Sequence, residues 1–328
     1  MGEFELIAQY FTRPARAAVL GVGDDCALWQ PRAGMQLAVS SDMLVCGRHF
    51  LPEVDPRTLG HKALAVNLSD LAACGARPLA FTLALALPEA DAAWLEPFAQ
   101  GLLALADAHG CELIGGDTTR GPLTICITVL GEVPPGQALL RSGAQAGDDV
   151  YVSGTLGDAR LALDALQGRL RLPEAVLAPA RQRLQTPTPR VALGLALRGV
   201  ASACADVSDG LVGDLGHILQ RSGVGATLDT DIAINLLALK PYFTRASGFF
   251  DQEISLIQGL RCVLAGGDDY ELVFTAAPER AAAVQAAARA SATPVTRIGR
   301  MDASPGLRLV DAQGAALDLN LSGFDHFV

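Results

Sequence analysis

Residues 202–221 read SACADVSDGLVGDLGHILQR and contain three predicted elements in a row. Apolar residues over 202–206 predict a strand, and the apolar spacing over 211–221 predicts a helix. Between them, residues 206–210 (DVSDG) predict a turn rich in acids, serine and glycine. Because α/β proteins bind ligands where strands end in such turns, the stretch predicts an α/β fold with an acidic ligand site.

Acids beside glycine or serine recur along the chain, each time at the end of a predicted apolar strand. One more acid, Asp70, falls in the helix predicted from Asp55-Pro56 to about Gly75. Glycine allows backbone amides to approach phosphate oxygens, whereas carboxylates repel a bare phosphate. The pattern therefore predicts Mg²⁺ between the acids and a phosphate. The recurrences are 21–25 (GVGDD), 40–42 (SSD) after a strand at 37–40, 115–118 (GGDT) after a strand at 112–114, and 266–269 (GGDD) after a strand at 262–266.

The composition excludes several classes of protein. Half of the 328 residues are apolar and 18% are charged, so a sizeable core is expected. The net charge of −10 argues against a nucleic-acid partner, and Asp outnumbers Glu by 24 to 11. Seven cysteines without a CxxC pair indicate free thiols in a reducing cytoplasm. No apolar run approaches ~18 residues and the N-terminus lacks a basic region, so we expect neither a membrane span nor a signal peptide.

The chain is long enough for two domains. Residues 134–147 contain Pro-Pro-Gly and show no periodicity, which places the predicted junction there. We therefore predict domains at 1–137 and 138–328. Each mixes strands with helices, so the predicted class is α/β (α+β).

Other nucleotide-binding chemistries lack their motifs. Neither Lys62 nor Lys240 follows glycine as a Walker-A lysine does. The His-Arg-Asp and Asp-Phe-Gly motifs of protein kinases are absent, and Gly21 and Gly23 do not continue into a Rossmann fingerprint. The spacing of His and Cys does not support a zinc site.

A set of motifs runs in order along essentially the whole chain. They are 2–4 (GEF), 23–25 (GDD), 40–50 (SSDMLVCGRHF), 66–70 (VNLSD), 115–117 (GGD), Arg141, 152–158 (VSGTLGD), 206–210 (DVSDG) and 323–327 (GFDHF). This set resembles the thiamine-monophosphate kinase family. That family belongs to a superfamily with aminoimidazole-ribotide synthetase, selenophosphate synthetase and the hydrogenase-maturation carbamoyl dehydratase.

The resemblance implies a two-domain, aminoimidazole-ribotide-synthetase-like architecture and a homodimer that pairs its N-terminal sheets. Residues 1–137 would bind ATP and metal and form the dimer, and 138–328 would complete the site with ATP and several Mg²⁺. The implied metal contacts are Asp25, Ser40, Ser41, Asp42, Asp70, Asp117, Asp206 and Asp209, with Asp42, Asp70, Asp117 and Asp209 as the catalytic members. The implied ATP contacts are Gly116, Asp117, Arg141 and Ser208, and those to thiamine monophosphate are His49, Asp268 and Phe324.

Two positions depart from the family pattern. The family usually has Glu at the position of Asp268 and often has Trp at the position of Phe324. From the residues alone, other interpretations stay open: His49 as a solvated strand histidine, Arg141 as a linker residue, and Phe324 as part of a tail packed on the core.

The expected reaction is in-line transfer of the ATP γ-phosphoryl group to thiamine monophosphate. Its nucleophile is an anionic phosphate oxygen, so no general base is needed. One alternative is another ATP-using enzyme of the superfamily. Residues 1–20 lack the cysteine expected of selenophosphate synthetase, and the sequence ends without the cysteine expected of the carbamoyl dehydratase. A non-catalytic nucleotide-binding module, the second alternative, would lack the metal acids.

Overall fold

The computed structural model describes residues 2–240, 256–319, 321 and 323. The chain forms two compact units: the first contains Met1–Leu71 and Ala76–Ala138, and the second contains Ala72–Gly75 and Leu139–Val328. Both combine helices with a sheet, so the predicted α/β (α+β) class is confirmed. The functional roles of domains 1–137 and 138–328 stay predictions. Within the described part of the chain, no helix has the length and hydropathy needed to traverse a bilayer.

A four-stranded sheet organises the first unit, in the order β1-β4-β2-β3. Its strands are β1 (Gln36–Val45), β2 (Arg77–Leu87), β3 (Glu112–Arg120) and β4 (Thr124–Val133). Strand β4 is antiparallel to β1 and β2, whereas β3 is parallel to β2. Strands β1 and β3 are therefore the two edges of this sheet.

The long helices of the first unit begin at capping aspartates, as predicted for the first of them. Asp55 accepts a hydrogen bond from the Arg57 amide at 2.8 Å, and Asp91 accepts one from the Ala93 amide at 2.9 Å. A left-handed Gly110 (φ 59°) ends the second. The helices are α1 (Glu3–Leu6), which continues as a π-helical turn (Ile7–Phe11), α2 (Pro56–Ala73) and α3 (Ala92–His109).

Alternation along the central strands buries one face of this sheet. Phe81, Leu83 and Leu85 on β2, and Ile125 and Ile127 on β4, are all buried. The opposite side of β2 carries smaller or polar residues, which alternate with the large ones over 79–87.

A six-stranded mixed sheet organises the second unit, in the order β10-β7-β9-β5-β8-β6. The strands are β5 (Asp149–Ser153), β6 (Ala203–Val207), β7 (Gly225–Asp229), β8 (Glu271–Ala276), β9 (Val295–Asp302) and β10 (Gly306–Val310). The helices are α4 (Asp158–Leu166), α5 (Glu174–Gln185), α6 (Val191–Ala196), α7 (Leu211–Ser222), α8 (Thr230–Ala233), α9 (Leu256–Ala265) and α10 (Ala281–Ala290). Strands β5 and β8, and the edge strand β6, are buried along their whole length.

Four predicted strand ends are wrong. Residues 21–25 lie among isolated β-bridges, before the first strand, β1. Residues 40–42 and 115–118 lie inside β1 and β3, which extend well beyond the predicted strands at 37–40 and 112–114. Residues 262–265 of the predicted strand 262–266 are the end of helix α9, because a short apolar run fits a buried helix as well as a strand. The acids of these stretches are therefore presented by strands, or by a loop before a strand.

Candidate active site

Acids of β1 and α2 meet at one edge of the first unit's sheet. The Ser40 hydroxyl donates a hydrogen bond to the Asp70 carboxylate, and the Asp42 backbone N–H donates to Asn67 Oδ1 at 3.1 Å. Asn67 is itself fixed, because its side-chain amide donates to Ala63 O at 2.9 Å. Helix α2 thus brings Asp70 to the face of β1 that carries Ser40 and Asp42. We call Ser40, Asp42 and Asp70 the β1-edge group.

Ser41, predicted to contact metal beside them, faces the other way. Its hydroxyl donates to Ile127 O at 3.1 Å and lies 3.0 Å from the hydroxyl of Thr128. Successive side chains of a strand point to opposite faces, so the Ser41 side chain lies on the outer face of β1. The structure does not bring it together with Ser40 and Asp42.

A second set of predicted residues lines a cavity of about 550 Å³ at the other edge of this sheet. Asp25, Gly116 and Asp117 share its wall with the N-terminal helical segment, including Phe4. Asp25 lies in a loop, and its N–H donates to Asp24 Oδ1 at 2.9 Å. We call Asp25, Gly116 and Asp117 the β3-edge group.

Gly116 shows why β3 continues through a glycine pair. Its φ is +150°, and a Cβ at this position would lie 1.8 Å from Leu83 O of the neighbouring strand. Only glycine fits so close an approach of two backbones. The glycine therefore keeps β3 paired with β2 and leaves the exposed Asp117 on the wall of the cavity.

The two groups lie at one level of the sheet but at opposite edges. Asp42 pairs with Ile127, Ile127 with Leu83, and Leu83 with Gly116. Three strand spacings of ~4.8 Å separate the Asp42 and Gly116 backbones by about 14 Å. Two oxygen atoms bound to one Mg²⁺ lie at most about 4 Å apart, because each is about 2 Å from the ion. A single ion therefore cannot join Asp42 and Asp117 of one chain.

His49 lies in the turn that follows β1. The Val45 N–H donates to His49 Nδ1 at 2.9 Å, so this nitrogen carries no proton and a neutral ring carries its proton on Nε2. The ring is half-buried. The interpretation of His49 as a solvated strand residue is therefore wrong, and its role toward a substrate stays a prediction.

In the second unit, β6 ends in the predicted acid loop. Asp206 is 5% exposed within β6, and Ser208 and Asp209 follow in the loop before α7. The predicted order of strand, turn and helix over 202–221 is confirmed, with β6 ending at Val207 and α7 beginning at Leu211.

Asp214, in the first turn of α7, binds this loop from behind. Its Oδ2 accepts the N–H of Ser208 at 3.1 Å and the N–H of Asp209 at 3.0 Å, and the residue is 2% exposed. Burial raises the pKa of Asp214 to about 7, although both backbone bonds act in the opposite direction. Sequence reasoning missed this residue. An acid four positions after Gly210, at the start of a predicted helix, was the available signal.

A strained loop lies beside the acid loop. Asp268 and Tyr270 both adopt left-handed backbone conformations, with φ of 68° and 52°. The Asp268 N–H donates to Ser208 O at 2.9 Å, and the Tyr270 hydroxyl donates to Asp268 Oδ1 at 3.4 Å. The predicted substrate residue Asp268 and the predicted ATP residue Ser208 are thus neighbours.

Known families match this chain along most of its length. The family model for the AIR synthase related protein, N-terminal domain, matches residues 23–133, and the model for the C-terminal domain matches 136–312. Thiamine-monophosphate kinase from Salmonella typhimurium (strain LT2) is 46% identical over 331 residues, which cover 99% of this chain and 98% of that protein. The chain belongs to the thiamine-monophosphate kinase family.

Solved structures of thiamine-monophosphate kinases share its fold. The crystal structure of the enzyme from Stenotrophomonas maltophilia K279a is 47% identical, with a TM-score of 0.82 over 96% of each chain. AaThiL, solved with AMPPCP and TMP, is 30% identical, with a TM-score of 0.76 over 91% of this chain and 89% of that one. The family and architecture predicted from the motifs are confirmed.

Two predicted ligand contacts, Arg141 and Phe324, belong to neither the two edge groups nor the acid loop. Arg141 is exposed on the second unit and lines a cleft of about 400 Å³ together with His217 and a second arginine, Arg221. Phe324, predicted to contact the thiamine phosphate, lies outside the described residues. Both roles stay predictions.

The donors of the candidate site suit Mg²⁺ better than a softer metal. They are carboxylate and hydroxyl oxygens, the ligands that Mg²⁺ prefers. Among the described residues, no three His, Cys, Asp or Glu side chains converge as a preformed metal centre.

Proposed function

We propose that this chain transfers the γ-phosphoryl group of ATP to thiamine monophosphate and forms thiamine diphosphate. The observation that carries the proposal is the likeness, over 99% of the chain, to a protein named thiamine-monophosphate kinase. AaThiL, solved with AMPPCP and TMP, supports the pairing of an ATP analogue with this substrate in one member of the family.

The residues suit a reaction governed by position and charge. The acceptor is already an anionic phosphate oxygen, so no residue has to remove a proton. Three residues would bind ATP: Gly116 through its backbone, Ser208 through its hydroxyl and Arg141 through its guanidinium group. His49 and Asp268 would orient thiamine monophosphate.

Mg²⁺ belongs to the proposal as the partner of the acids. Asp42, Asp70 and Ser40 would hold it at the β1 edge, Asp25 and Asp117 at the β3 edge, and Asp206 and Asp209 in the second unit. When bound, it would neutralise phosphate charge. Without a cation, the carboxylates of either edge group would repel ATP, so the donor set itself favours several ions.

The function is tested by measuring ADP release from the purified protein with ATP and a panel of acceptors. We expect release only with thiamine monophosphate and Mg²⁺, because the proposed acceptor is an anionic phosphate oxygen, whereas free thiamine offers a neutral alcohol. Equal turnover of thiamine would contradict the proposal. Turnover with aminoimidazole precursors instead would favour another enzyme of the superfamily, and tight ATP binding without any turnover would favour a non-catalytic module.

We also propose that the protein is a homodimer in which the first units of two copies share sites. The outer face of β1 exposes Leu37, Val39 and Met43 by 46%, 62% and 55%, which is typical of a surface that another chain covers. The separation of Asp42 and Asp117 supports the same arrangement. Two copies could bring the β1 edge of one beside the β3 edge of the other.

This arrangement predicts complementation between two inactive variants, Asp42→Asn and Asp117→Asn. If each site takes one acid from each copy, a mixed dimer contains one site with both natural acids. Random mixing of the two variants should then restore about one quarter of the natural activity, since half of the dimers are mixed and each has one intact site of two. Coexpression of both chains, followed by the ADP assay, provides the measurement. A mixture as inactive as either variant alone would show that each site uses one chain.

The free cysteines support a cytoplasmic location. All seven lie in described positions and none forms a disulfide. Such usage is typical of a reducing compartment.

A further inference from the structure

We propose that Asp214 is a positioning residue of this kinase, which orients Ser208 and Asp209 by binding their backbone amides. The proposal rests on the proposed function for the reaction that the loop serves. It assigns a role to a buried residue outside the predicted ligand set.

One carboxylate oxygen of Asp214 accepts the amides of two consecutive residues, Ser208 at 3.1 Å and Asp209 at 3.0 Å. Two bonds to one oxygen fix the direction of the peptide between them. The two residues that this peptide joins carry the hydroxyl predicted to bind ATP and the carboxylate predicted to bind metal. Its orientation therefore decides where both groups point.

Backbone contacts also hold the rest of the loop. The carbonyl oxygens of Val207 and Ser208 accept the amides of Tyr270 and Asp268, each at 2.9 Å. Gly210 has a φ of +107°, and a Cβ there would lie 2.9 Å from the backbone of Ala265. Ser208 is thus held at its carbonyl by the strained loop and at its amide by Asp214. The bonds to Asp214 are side-chain contacts of this loop, and a substitution can remove them.

An ordinary helix cap does not account for this arrangement. A capping acid precedes its helix, as Asp229 does: its side chain accepts the amides of Asp231 and Ile232 at 2.9 and 3.0 Å. Asp214 lies inside α7 and reaches back past the N-terminal residue of the helix to the loop. A carboxylate buried beside further acids is costly, and a neutral cap would avoid that cost. Asp229 offers the same two bonds away from the site and is therefore a matched control.

The test compares Asp214→Ala, Asp214→Asn and Asp229→Ala by steady-state kinetics, thermal melting and amide exchange. We expect Asp214→Ala to lower kcat at least about tenfold, which is the effect of removing a group that orients a metal ligand. The Mg²⁺ concentration that gives a half-maximal rate should rise. The KM for thiamine monophosphate should change less than about twofold. Asp214→Asn retains an oxygen acceptor, so its kcat should lie within about threefold of that of the natural protein. That loss is smaller than the one expected from removing a hydrogen bond.

Amide exchange gives a readout that does not depend on turnover. The amides of Ser208 and Asp209 should exchange faster in Asp214→Ala and at the natural rate in Asp229→Ala. Asp229→Ala should lower the melting temperature by about as much as Asp214→Ala does. Its kcat should stay within about twofold of the natural value. If Asp214→Ala does not fold, Asp214→Val is closer to the volume of the aspartate, has no acceptor and carries the same expectation.

Unchanged kcat, Mg²⁺ dependence and loop exchange in Asp214→Ala would overturn the proposal. An equal loss of kcat in Asp229→Ala would also overturn it, because general destabilisation would then suffice. If the natural protein releases no ADP with thiamine monophosphate, the proposed function fails. The exchange rates of the loop would still decide whether Asp214 orients it.

Discussion

Asp42→Asn should lower kcat by at least about 100-fold, the scale observed when one electrostatic stabiliser is removed from an active site. The change keeps the size and an oxygen acceptor of the side chain but removes its charge. The backbone bond from Asp42 to Asn67 does not involve the side chain of Asp42, so the local fold should persist. The substitution also preserves the volume of the side chain, so we expect little change in the melting temperature.

Asp91→Asn is the matched control for that variant. Asp91 is an exposed acid of the same unit that caps α3, and Asn caps a helix as well as Asp does. We expect natural kcat and a melting temperature within error for this control. The measurement is steady-state ADP release at saturating ATP and thiamine monophosphate, beside thermal melting. Natural kcat in Asp42→Asn would show that this carboxylate is only a polar residue of a strand.

Sequence patterns predicted the elements whose local signals agree with each other. Asp55-Pro56 marks the start of α2, and the predicted helix over 211–221 matches α7. The acid loop after β6 also agrees with prediction, because apolar strand, glycine turn and apolar helix follow one another without conflict. Motif order then identified the family without any tertiary information.

The errors arose where tertiary contacts override local signals. A glycine pair usually weakens a strand, yet Gly116 continues β3 because its missing side chain admits Leu83 O. Asp42 lies within β1 because α2 supplies Asn67 and Asp70 to the polar residues of that strand. No local pattern contains either contact.

The buried acid Glu271 was missed for a related reason. It is distinguished by what it touches after folding and not by the residues next to it. The partners of Glu271 lie 81 to 118 positions away in the chain. Pairings of that range cannot be inferred from one sequence, whereas acids beside glycine can.

Glu271 lies at the centre of a buried ionic cluster in the second unit. It is 0% exposed at the start of β8 and accepts hydrogen bonds from Arg183 at 2.8 Å, from Arg190 at 2.5 and 2.6 Å, and from Ser153 at 2.6 Å. Both arginine side chains are largely buried as well, at 21% and 16% exposure. One carboxylate therefore compensates two guanidinium groups that have little access to water.

Glu271→Ala should lower the free energy of unfolding of the second unit by about 3–5 kcal/mol, because it leaves two buried cations without their anion. Glu174→Ala is the control: Glu174 pairs with Arg181 at 3.7 Å on the surface, with 73% of its side chain exposed, and its loss should cost less than about 0.5 kcal/mol. Urea unfolding followed by circular dichroism, with calorimetry to separate the transitions of the two units, measures both variants. Equal, small losses in the two variants would mean that water or rearranged side chains compensate Arg183 and Arg190. A selective loss at Glu271 would establish that one buried carboxylate supports the start of β8, two residues after the fully buried Asp269.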